Sequence, residues 1–183
     1  MVHPPQNKEE ESTMPSVATR HTLVSILFLA VALACAQARA EAGQIQVRET
    51  VTLKAGADAV WALIGDFNGL YRWHPAVVNS ILDGDRSQAG SLRILVLGDG
   101  ARIVERQQSH DDGQRSYGYE ILYSPLPVSG YQSQISVTPM GGGKCQVSWS
   151  STFSAAGATD AKAEETIRGI YRAGLDHLAS LFN

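Results

Sequence analysis

Apolar and polar residues alternate over seven short segments of the chain, and this period of two predicts β-strands. The predicted strands are residues 44–53, 77–82, 91–97, 102–108, 116–123, 131–139 and 146–153. Turn signals separate several of them, namely Asp83-Gly84, Asp99-Gly100, Asp112-Gly113 and the glycine run 141–143. Strands joined by such turns pair antiparallel, so the pattern predicts a meander.

Three further segments show helical spacing. Residues 57–64 and 66–73 predict two short helices, and His74-Pro75 ends the second one. Residues 159–182 predict a long amphipathic helix, with a stripe of mostly apolar residues that includes Ile170 and Gly174. A glycine inside a helix costs about 1 kcal/mol relative to alanine, so Gly174 is expected to leave room for a strand or a ligand.

These elements together predict an α+β protein in which a seven-stranded antiparallel sheet wraps around the long C-terminal helix. A curved sheet that holds one helix leaves space between the two. We therefore expect an internal cavity of the size usual for ligand sites, about 300–1,000 Å³.

The first 40 residues have the pattern of a leader for export. Arg20 and His21 precede the apolar run 23–34, and Ala38-Arg39-Ala40 supplies the small residues that signal peptidase recognises. We expect cleavage after Ala40, a periplasmic or secreted protein, and one ligand-binding domain over residues 41–183. The apolar run is too short to cross a bilayer comfortably, so no transmembrane segment is expected in the mature form.

Two alternatives concern this leader. Cys35 follows a short apolar stretch and could be acylated in a lipoprotein, but Ala32 stands where leucine is usual, so this is the less favoured interpretation. Met14 is an alternative start, because residues 1–13 are polar and include three consecutive glutamates.

The chain has a net charge of −3 and no basic run, which argues against nucleic acid or an anionic membrane as the main partner. Its candidate histidines are His74, His110 and His177, and their spacing fits neither a metal site nor a Ser-His-Asp arrangement. His110 and His177 are expected to meet solvent. The sequence thus assigns no catalytic residue, metal or cofactor.

Strand alternation places polar groups on the predicted inner faces. Tyr117, Tyr119 and Tyr123 share one face of their strand, so three phenols are expected in a row. Glu105 shares a face with Ile103, and Glu49 shares one with four aliphatic residues. An ionised carboxylate is costly to bury alone, so either glutamate, if it faces inward, needs a partner or bound water.

Several motifs in this order resemble one family. They are Trp73-His74-Pro75, Val104-Glu105-Arg106 before Asp111-Asp112-Gly113, and Ser124-Pro125-Leu126-Pro127-Val128 leading to Tyr131. The chain resembles the polyketide cyclase-like and MxaD-like branch of the START/Bet v 1 (SRPBCC) superfamily over residues 44–182. The resemblance implies a helix-grip fold with an internal cavity.

The superfamily includes the plant abscisic acid receptors, and this likeness implies roles for two residues. Glu105 looks like the receptor glutamate that meets ligand through water, and Tyr131 looks like the tyrosine that holds the same network. The receptor gate sequence is absent, since only Gly98-Asp99-Gly100 joins strands three and four. The predicted ligand-binding residues are Glu105, Tyr131, Tyr117, Tyr119, Trp149, Trp73, Ile170 and Gly174.

The sequence leaves three functions open. The first, which the sequence favours, is an exported non-catalytic binding protein that encloses a small hydrophobic or amphipathic ligand, as a carrier or accessory factor. The second is a polyketide cyclase-like or dehydratase-like enzyme with Glu105 or His74 as acid or base. The third is a periplasmic assembly factor for a dehydrogenase system, which would contact a periplasmic protein partner through the loop 125–127.

Overall fold

A computed structural model describes Met1 and residues 44–183. The predicted leader, its cleavage site after Ala40, the alternative start and Cys35 lie outside the described residues. The localisation and the domain boundary at residue 41 therefore stay predictions.

Residues 44–183 form seven strands, two α-helices and a 3-10 helix. In chain order these are β1 (Ile45–Leu53), α1 (Ala57–Ile64), the 3-10 helix (Phe67–Arg72), β2 (Val77–Asp83), β3 (Leu92–Leu97), β4 (Arg102–Asp111), β5 (Ser116–Tyr123), β6 (Val128–Met140), β7 (Lys144–Ala155) and α2 (Asp160–Phe182). Strands β2, β4, β6 and β7 extend beyond their predicted limits. The second predicted helix is the 3-10 helix.

The strands form a single antiparallel sheet in the order β1-β7-β6-β5-β4-β3-β2. Helix α2 packs against β1 and β7, where its buried residues Ile167, Tyr171 and Leu178 meet inward-facing residues such as Val147 and Trp149. The predicted α+β helix-grip fold, with seven strands around a long C-terminal helix, is confirmed.

Short-range hydrogen bonds fix the ends of the helices that border the cavity. The Thr159 hydroxyl accepts a hydrogen bond from the backbone N–H of Lys162 at 3.3 Å and so caps α2. The Asp66 carboxylate accepts one from the N–H of Asn68 at 2.9 Å and caps the 3-10 helix. These caps satisfy backbone donors that have no partner inside the helix.

The prediction that Tyr123 faces inward with Tyr117 and Tyr119 was wrong. Tyr117 and Tyr119 are buried, but Tyr123 is 65 % exposed. A register shift lets Tyr123 pair with Val104, whereas Ile121 pairs with Glu105, so Leu122 is an extra residue in β5. Because a single extra residue reverses the faces of a strand, Tyr123 points to the outer side.

Glu49 does lie near α2, but it is not a cavity carboxylate. It accepts hydrogen bonds from Arg168 and, at 3.2 Å, from Arg172, and Arg168 also donates to Glu164 at 2.6 Å. The two arginines thus supply the partners that a carboxylate at this position requires. This ion-pair group joins edge strand β1 to the surface of α2.

None of the helices within the described residues has the length and apolar character required to cross a membrane.

Candidate functional site

An enclosed cavity of about 80 Å³ lies between the inner face of the sheet and α2. Aliphatic side chains form much of its wall, among them Leu70, Leu95, Ile103, Leu126, Ile167 and Ile170. The polar groups along the wall come from His74, Glu105, Tyr119, Tyr131 and Tyr171. The cavity is thus smaller than the expected volume of about 300–1,000 Å³. Large aromatic residues, among them Trp73, Trp149 and Tyr171, are buried in the same core.

The mouth of the cavity is marked by lining residues that are not fully buried. They are Ala76, which is exposed, and the half-buried Leu97, Ile121, Leu126 and Ile170. These residues belong to the loop before β2, the ends of β3 and β5, the β5–β6 loop and α2. Leu126, from the loop with two prolines, thus lies at the mouth.

The structure brings five of the eight predicted ligand-binding residues together on the cavity wall, namely Glu105, Tyr131, Tyr119, Trp149 and Ile170. Trp73, Tyr117 and Gly174 are buried but do not line the cavity. All eight remain predictions as ligand contacts.

Glu105 is 4 % exposed and forms an ion pair with Arg93, which is fully buried. Arg93 Nε donates to Glu105 Oε2 at 2.6 Å, and Nη1 donates to the backbone carbonyl of Phe67. The guanidinium also lies over the Phe67 ring, 4.1 Å from its centroid. The pair thus ties β3 and β4 to the 3-10 helix below the cavity.

The pKa values of this pair reflect burial and mutual attraction. Burial alone lowers the pKa of Arg93, but the Glu105 carboxylate outweighs it and holds the guanidinium pKa above its usual range. Burial raises the pKa of Glu105, and the Arg93 charge limits that increase.

Arg93 is not among the residues predicted from the sequence, although two signals in the sequence indicate it. Arg93 shares the inner face of β3 with Leu95, and the turn at residues 98–100 places Arg93 directly opposite Glu105. A buried carboxylate requires a partner, and the expected register of the β3–β4 hairpin was sufficient to predict Arg93 as the partner of Glu105.

A second hydrogen-bond network connects aromatic residues at the other side of the cavity. Tyr131 is hydrogen-bonded to Tyr171, which lies 3.1 Å from the Ser133 hydroxyl. Trp149 Nε1 lies 3.0 Å from the Tyr119 oxygen and 3.1 Å from Ser133 Oγ. Burial raises the pKa of Tyr131 and of Tyr119, and it raises the pKa of Tyr171 to about 12, so these phenols stay protonated at neutral pH.

Glu105 and Tyr131 have different direct hydrogen-bond partners, and the water-mediated network expected from the abscisic acid receptors stays a prediction. No hydrogen bond joins them within residues 44–183; Glu105 bonds to Arg93, and Tyr131 bonds to Tyr171. Both still line the same small cavity. The site therefore presents two separate polar groups to one apolar space.

His74 joins α2 to the loop that precedes β2. Its Nδ1 accepts a hydrogen bond from the N–H of Ala76 at 3.2 Å, so Nε2 carries the hydrogen that is donated to the carbonyl of Ile170 at 3.0 Å. Burial lowers the pKa of His74, which favours this neutral form. With both nitrogens engaged, His74 is poorly placed to act as an acid or base.

Gly174 makes this contact possible. A Cβ atom at residue 174 would lie 2.7 Å from His74 Cδ2 and 3.1 Å from ring atoms of both Trp73 and Trp149. The space predicted beside Gly174 is thus occupied by the protein's own side chains.

His110 was expected to meet solvent, but its side chain is only 7 % exposed. The ring stacks on Tyr117 and has hydrogen-bond contacts with Gln107 at 3.2 Å and Asp112 at 3.0 Å. Asp112 also accepts a hydrogen bond from Trp61 Nε1 at 2.7 Å. This cluster closes the end of the core beneath α1.

His177 was also expected to meet solvent. It is half-buried, with Nδ1 2.8 Å from the Trp73 carbonyl.

A larger concavity of about 500 Å³ lies along β1, β7 and β6. It is an open groove with hydroxyl, amide and guanidinium groups, such as those of Gln46, Arg48 and Gln134. Because water already solvates these groups, the enclosed cavity is the better candidate for a ligand site.

Comparisons with known proteins agree with this architecture. XoxI from Bacillus cereus is 33 % identical, with a TM-score of 0.71, over 75 % of this chain and 94 % of that one. An uncharacterised protein from Bacillus thuringiensis is 32 % identical, also with a TM-score of 0.71, over 75 % of this chain and 98 % of that one. The Zhui aromatase/cyclase from a Streptomyces species is 19 % identical, with a TM-score of 0.63, over 75 % of this chain and 93 % of that one, and so shares the fold.

Among curated proteins, no match to the chain is found. The sequence profile of one family matches residues 44–183, which cover every strand and helix described above. Together with the two structures at more than 30 % identity, this match shows that the chain belongs to the polyketide cyclase/dehydrase and lipid transport family.

Proposed function

We propose that this protein binds a small hydrophobic or amphipathic ligand in the enclosed cavity, as a carrier or accessory factor outside the cytoplasm. The observation that carries the proposal is the cavity itself: its wall is largely apolar, yet Glu105 and three tyrosines also line it. Sites for small molecules usually combine apolar walls with a few placed polar groups. The family description, which includes lipid transport, supports the same class of ligand.

The small volume adds a condition to this proposal. An engineered protein cavity that binds benzene measures about 150 Å³, roughly twice the volume present here. A ligand of ordinary size therefore requires the mouth to widen, and the β5–β6 loop with Leu126 is the segment placed to move. Export from the cytoplasm is proposed from the leader pattern of residues 1–40.

Binding of benzene to the full-length chain, followed by backbone amide chemical shifts, tests this function. We expect saturable shifts at residues such as Trp149 and Ile170, and we expect Ala76→Phe to reduce the affinity because the new ring covers the mouth. Ala161→Phe on the exposed side of α2 is the matched control and should bind as the parent chain does. Shifts that never saturate, or that are unchanged in Ala76→Phe, would contradict the proposal.

The loop that carries Leu126 should matter more for binding than for folding. Two prolines restrict its conformations, so replacing both Pro125 and Pro127 with glycine raises the entropy that ligand closure must remove. We expect benzene affinity to fall by a larger factor than the folding equilibrium constant, measured by titration and by urea unfolding. Equal factors would mean that the loop is only structural.

An assembly or accessory role with a protein partner is the second candidate, and one observation favours it. On the outer face of the sheet, Ile81, Ile94, Val104 and Tyr123 stand opposite one another on β2, β3, β4 and β5. Ile81 is 54 % exposed and Tyr123 is 65 % exposed. An apolar row of this kind on a solvent-facing sheet is typical of a contact surface.

The enzyme alternative has less support. His74 uses both ring nitrogens to position α2, and Glu105 is bonded to Arg93. A general acid or base has to reach the proton of a substrate; His74 cannot do so without losing a structural bond, and Glu105 keeps only Oε1 unbonded beside the Arg93 charge.

A further inference from the structure

The hydrogens of the aromatic network can be assigned one after another, starting from Ser133. Ser133 Oγ lies 2.9 Å from the backbone carbonyl of Ser150, and a carbonyl oxygen can only accept, so the single hydrogen of Ser133 is used there. The Tyr171 hydroxyl lies 3.1 Å from the same oxygen and must therefore donate to it. Trp149 Nε1 is only a donor and also points at Ser133 Oγ.

These two hydrogen bonds determine which tyrosine donates in the Tyr131–Tyr171 pair. Since the hydrogen of Tyr171 is directed to Ser133, the hydrogen bond between the two tyrosines is donated by Tyr131. The Tyr131 oxygen keeps only lone pairs. Tyr131 is therefore a hydrogen-bond acceptor toward the cavity that it lines.

Tyr119, unlike Tyr131, has a hydroxyl hydrogen that is free to be donated. Its oxygen accepts a hydrogen bond from Trp149 Nε1 at 3.0 Å, and its own hydrogen has no acceptor within residues 44–183. Because Tyr119 also lines the cavity, its hydroxyl can donate to a ligand.

Glu105 offers a second acceptor. Arg93 binds Oε2, whereas Oε1 has no partner in the described part of the chain and is not among the buried polar atoms that are sealed off without one. Glu105 lines the cavity, so Oε1 is available to a bound group. The cavity thus presents two acceptors, Glu105 Oε1 and Tyr131 Oη, and one donor, Tyr119 O–H.

We infer that the cavity selects a compact apolar molecule that carries a hydroxyl group, as an alcohol or a phenol. A hydroxyl donates to Glu105 or Tyr131 and accepts from Tyr119, so it matches both kinds of group. The inference rests on the function proposed above and names the ligand class of the same cavity.

Other polar groups match less well. A carboxylate would bring a second negative charge close to Glu105, and an ether can only accept, which leaves both acceptors desolvated without a donor. An ammonium group only donates and leaves the Tyr119 hydrogen unmatched.

Four probes with the same ring test the inference, namely phenol, benzene, anisole and benzoate, each titrated into the full-length chain at pH 7. We expect phenol to bind about tenfold more tightly than benzene and anisole, the difference expected for one well-made hydrogen bond. Benzoate is expected to bind most weakly.

Two variants test whether Tyr131 causes the preference for phenol over benzene. Tyr131→Phe removes an acceptor while Tyr171 keeps its bond to Ser133, so the ratio of phenol affinity to benzene affinity should fall severalfold. Tyr123→Phe removes an exposed phenol on the outer face of the sheet and should leave that ratio unchanged.

The outcomes separate this inference from the proposed function. Benzene, anisole and phenol of equal affinity, a preference for benzoate, or a ratio unchanged in Tyr131→Phe would overturn the hydroxyl preference while the cavity remained a ligand site. Failure of all four probes to bind would overturn both.

Discussion

Replacing Glu105 with glutamine is expected to lower the free energy of unfolding by about 3–5 kcal/mol, the cost of breaking a buried ion pair. The variant leaves the Arg93 guanidinium, which is fully buried, without a counter-ion. Arginine does not lose its proton in proteins, so the uncompensated charge has to stay in the core. Urea unfolding followed by tryptophan fluorescence measures the loss.

The matched control is Glu120→Gln. Glu120 also forms an ion pair with an arginine, because it accepts a hydrogen bond from Arg106 Nε at 2.7 Å. The side chain of Arg106, however, is 46 % exposed. A pair at the surface contributes less than about 1 kcal/mol. A loss for Glu105→Gln no larger than for Glu120→Gln would show that the Arg93 pair does not stabilise the fold.

The double variant Arg93→Met, Glu105→Leu completes this test. Ionised groups are costly to bury, and apolar side chains of similar size remove that cost from both partners at once. We expect the double variant to recover most of the stability lost in Glu105→Gln. Its preference for phenol should weaken, because the acceptor Glu105 Oε1 is gone while the acceptor Tyr131 Oη remains.

Replacing Gly174 with alanine is expected to destabilise the protein by about 1–3 kcal/mol, the usual cost of adding a methyl group to a packed core. The new Cβ would overlap His74, whose ring donates a hydrogen bond to the Ile170 carbonyl on the same helix. The His74 ring has to move, and ring atoms of Trp73 and Trp149 would also lie only 3.1 Å from the new Cβ. Thermal unfolding with a near-ultraviolet tryptophan signal follows both the stability and the repacking.

Gly169 supplies the control for helix propensity. It lies in the same helix and is exposed, and a Cβ atom added to it would meet no other atom within 4 Å. Gly169→Ala is therefore expected to stabilise the protein by up to about 1 kcal/mol. Stabilisation by both substitutions would mean that His74 adapts without cost, and that Gly174 is not required for its contact.

Much of the fold follows from local patterns that the sequence displays directly. Alternation located all seven strands, and spacing of three and four residues located α2 to within one residue of its start. The turn signals at Asp83-Gly84, Asp99-Gly100 and Asp112-Gly113 fixed the order of antiparallel pairing. These features depend only on neighbours in the chain, and for that reason periodicity reveals them.

The candidate site could be predicted only in part. Glu105 and Tyr119 lie on the cavity because strict alternation holds where β4 and β5 pair regularly. Tyr123 does not, because one extra residue in β5 reverses its face. A bulge of this kind leaves the alternation of the sequence unchanged, so periodicity alone does not detect it.

The sequence by itself determined the antiparallel sheet, its long helix and the inward position of Glu105, since each depends on periodicity and turn chemistry. Tertiary structure alone decided what each inward group meets: Arg93 for Glu105, Tyr171 for Tyr131, and His74 for Gly174. These partners lie 12, 40 and 100 residues apart, respectively. The tertiary structure also decided that the cavity measures about 80 Å³, because the volume left inside a sheet depends on how all its side chains pack together.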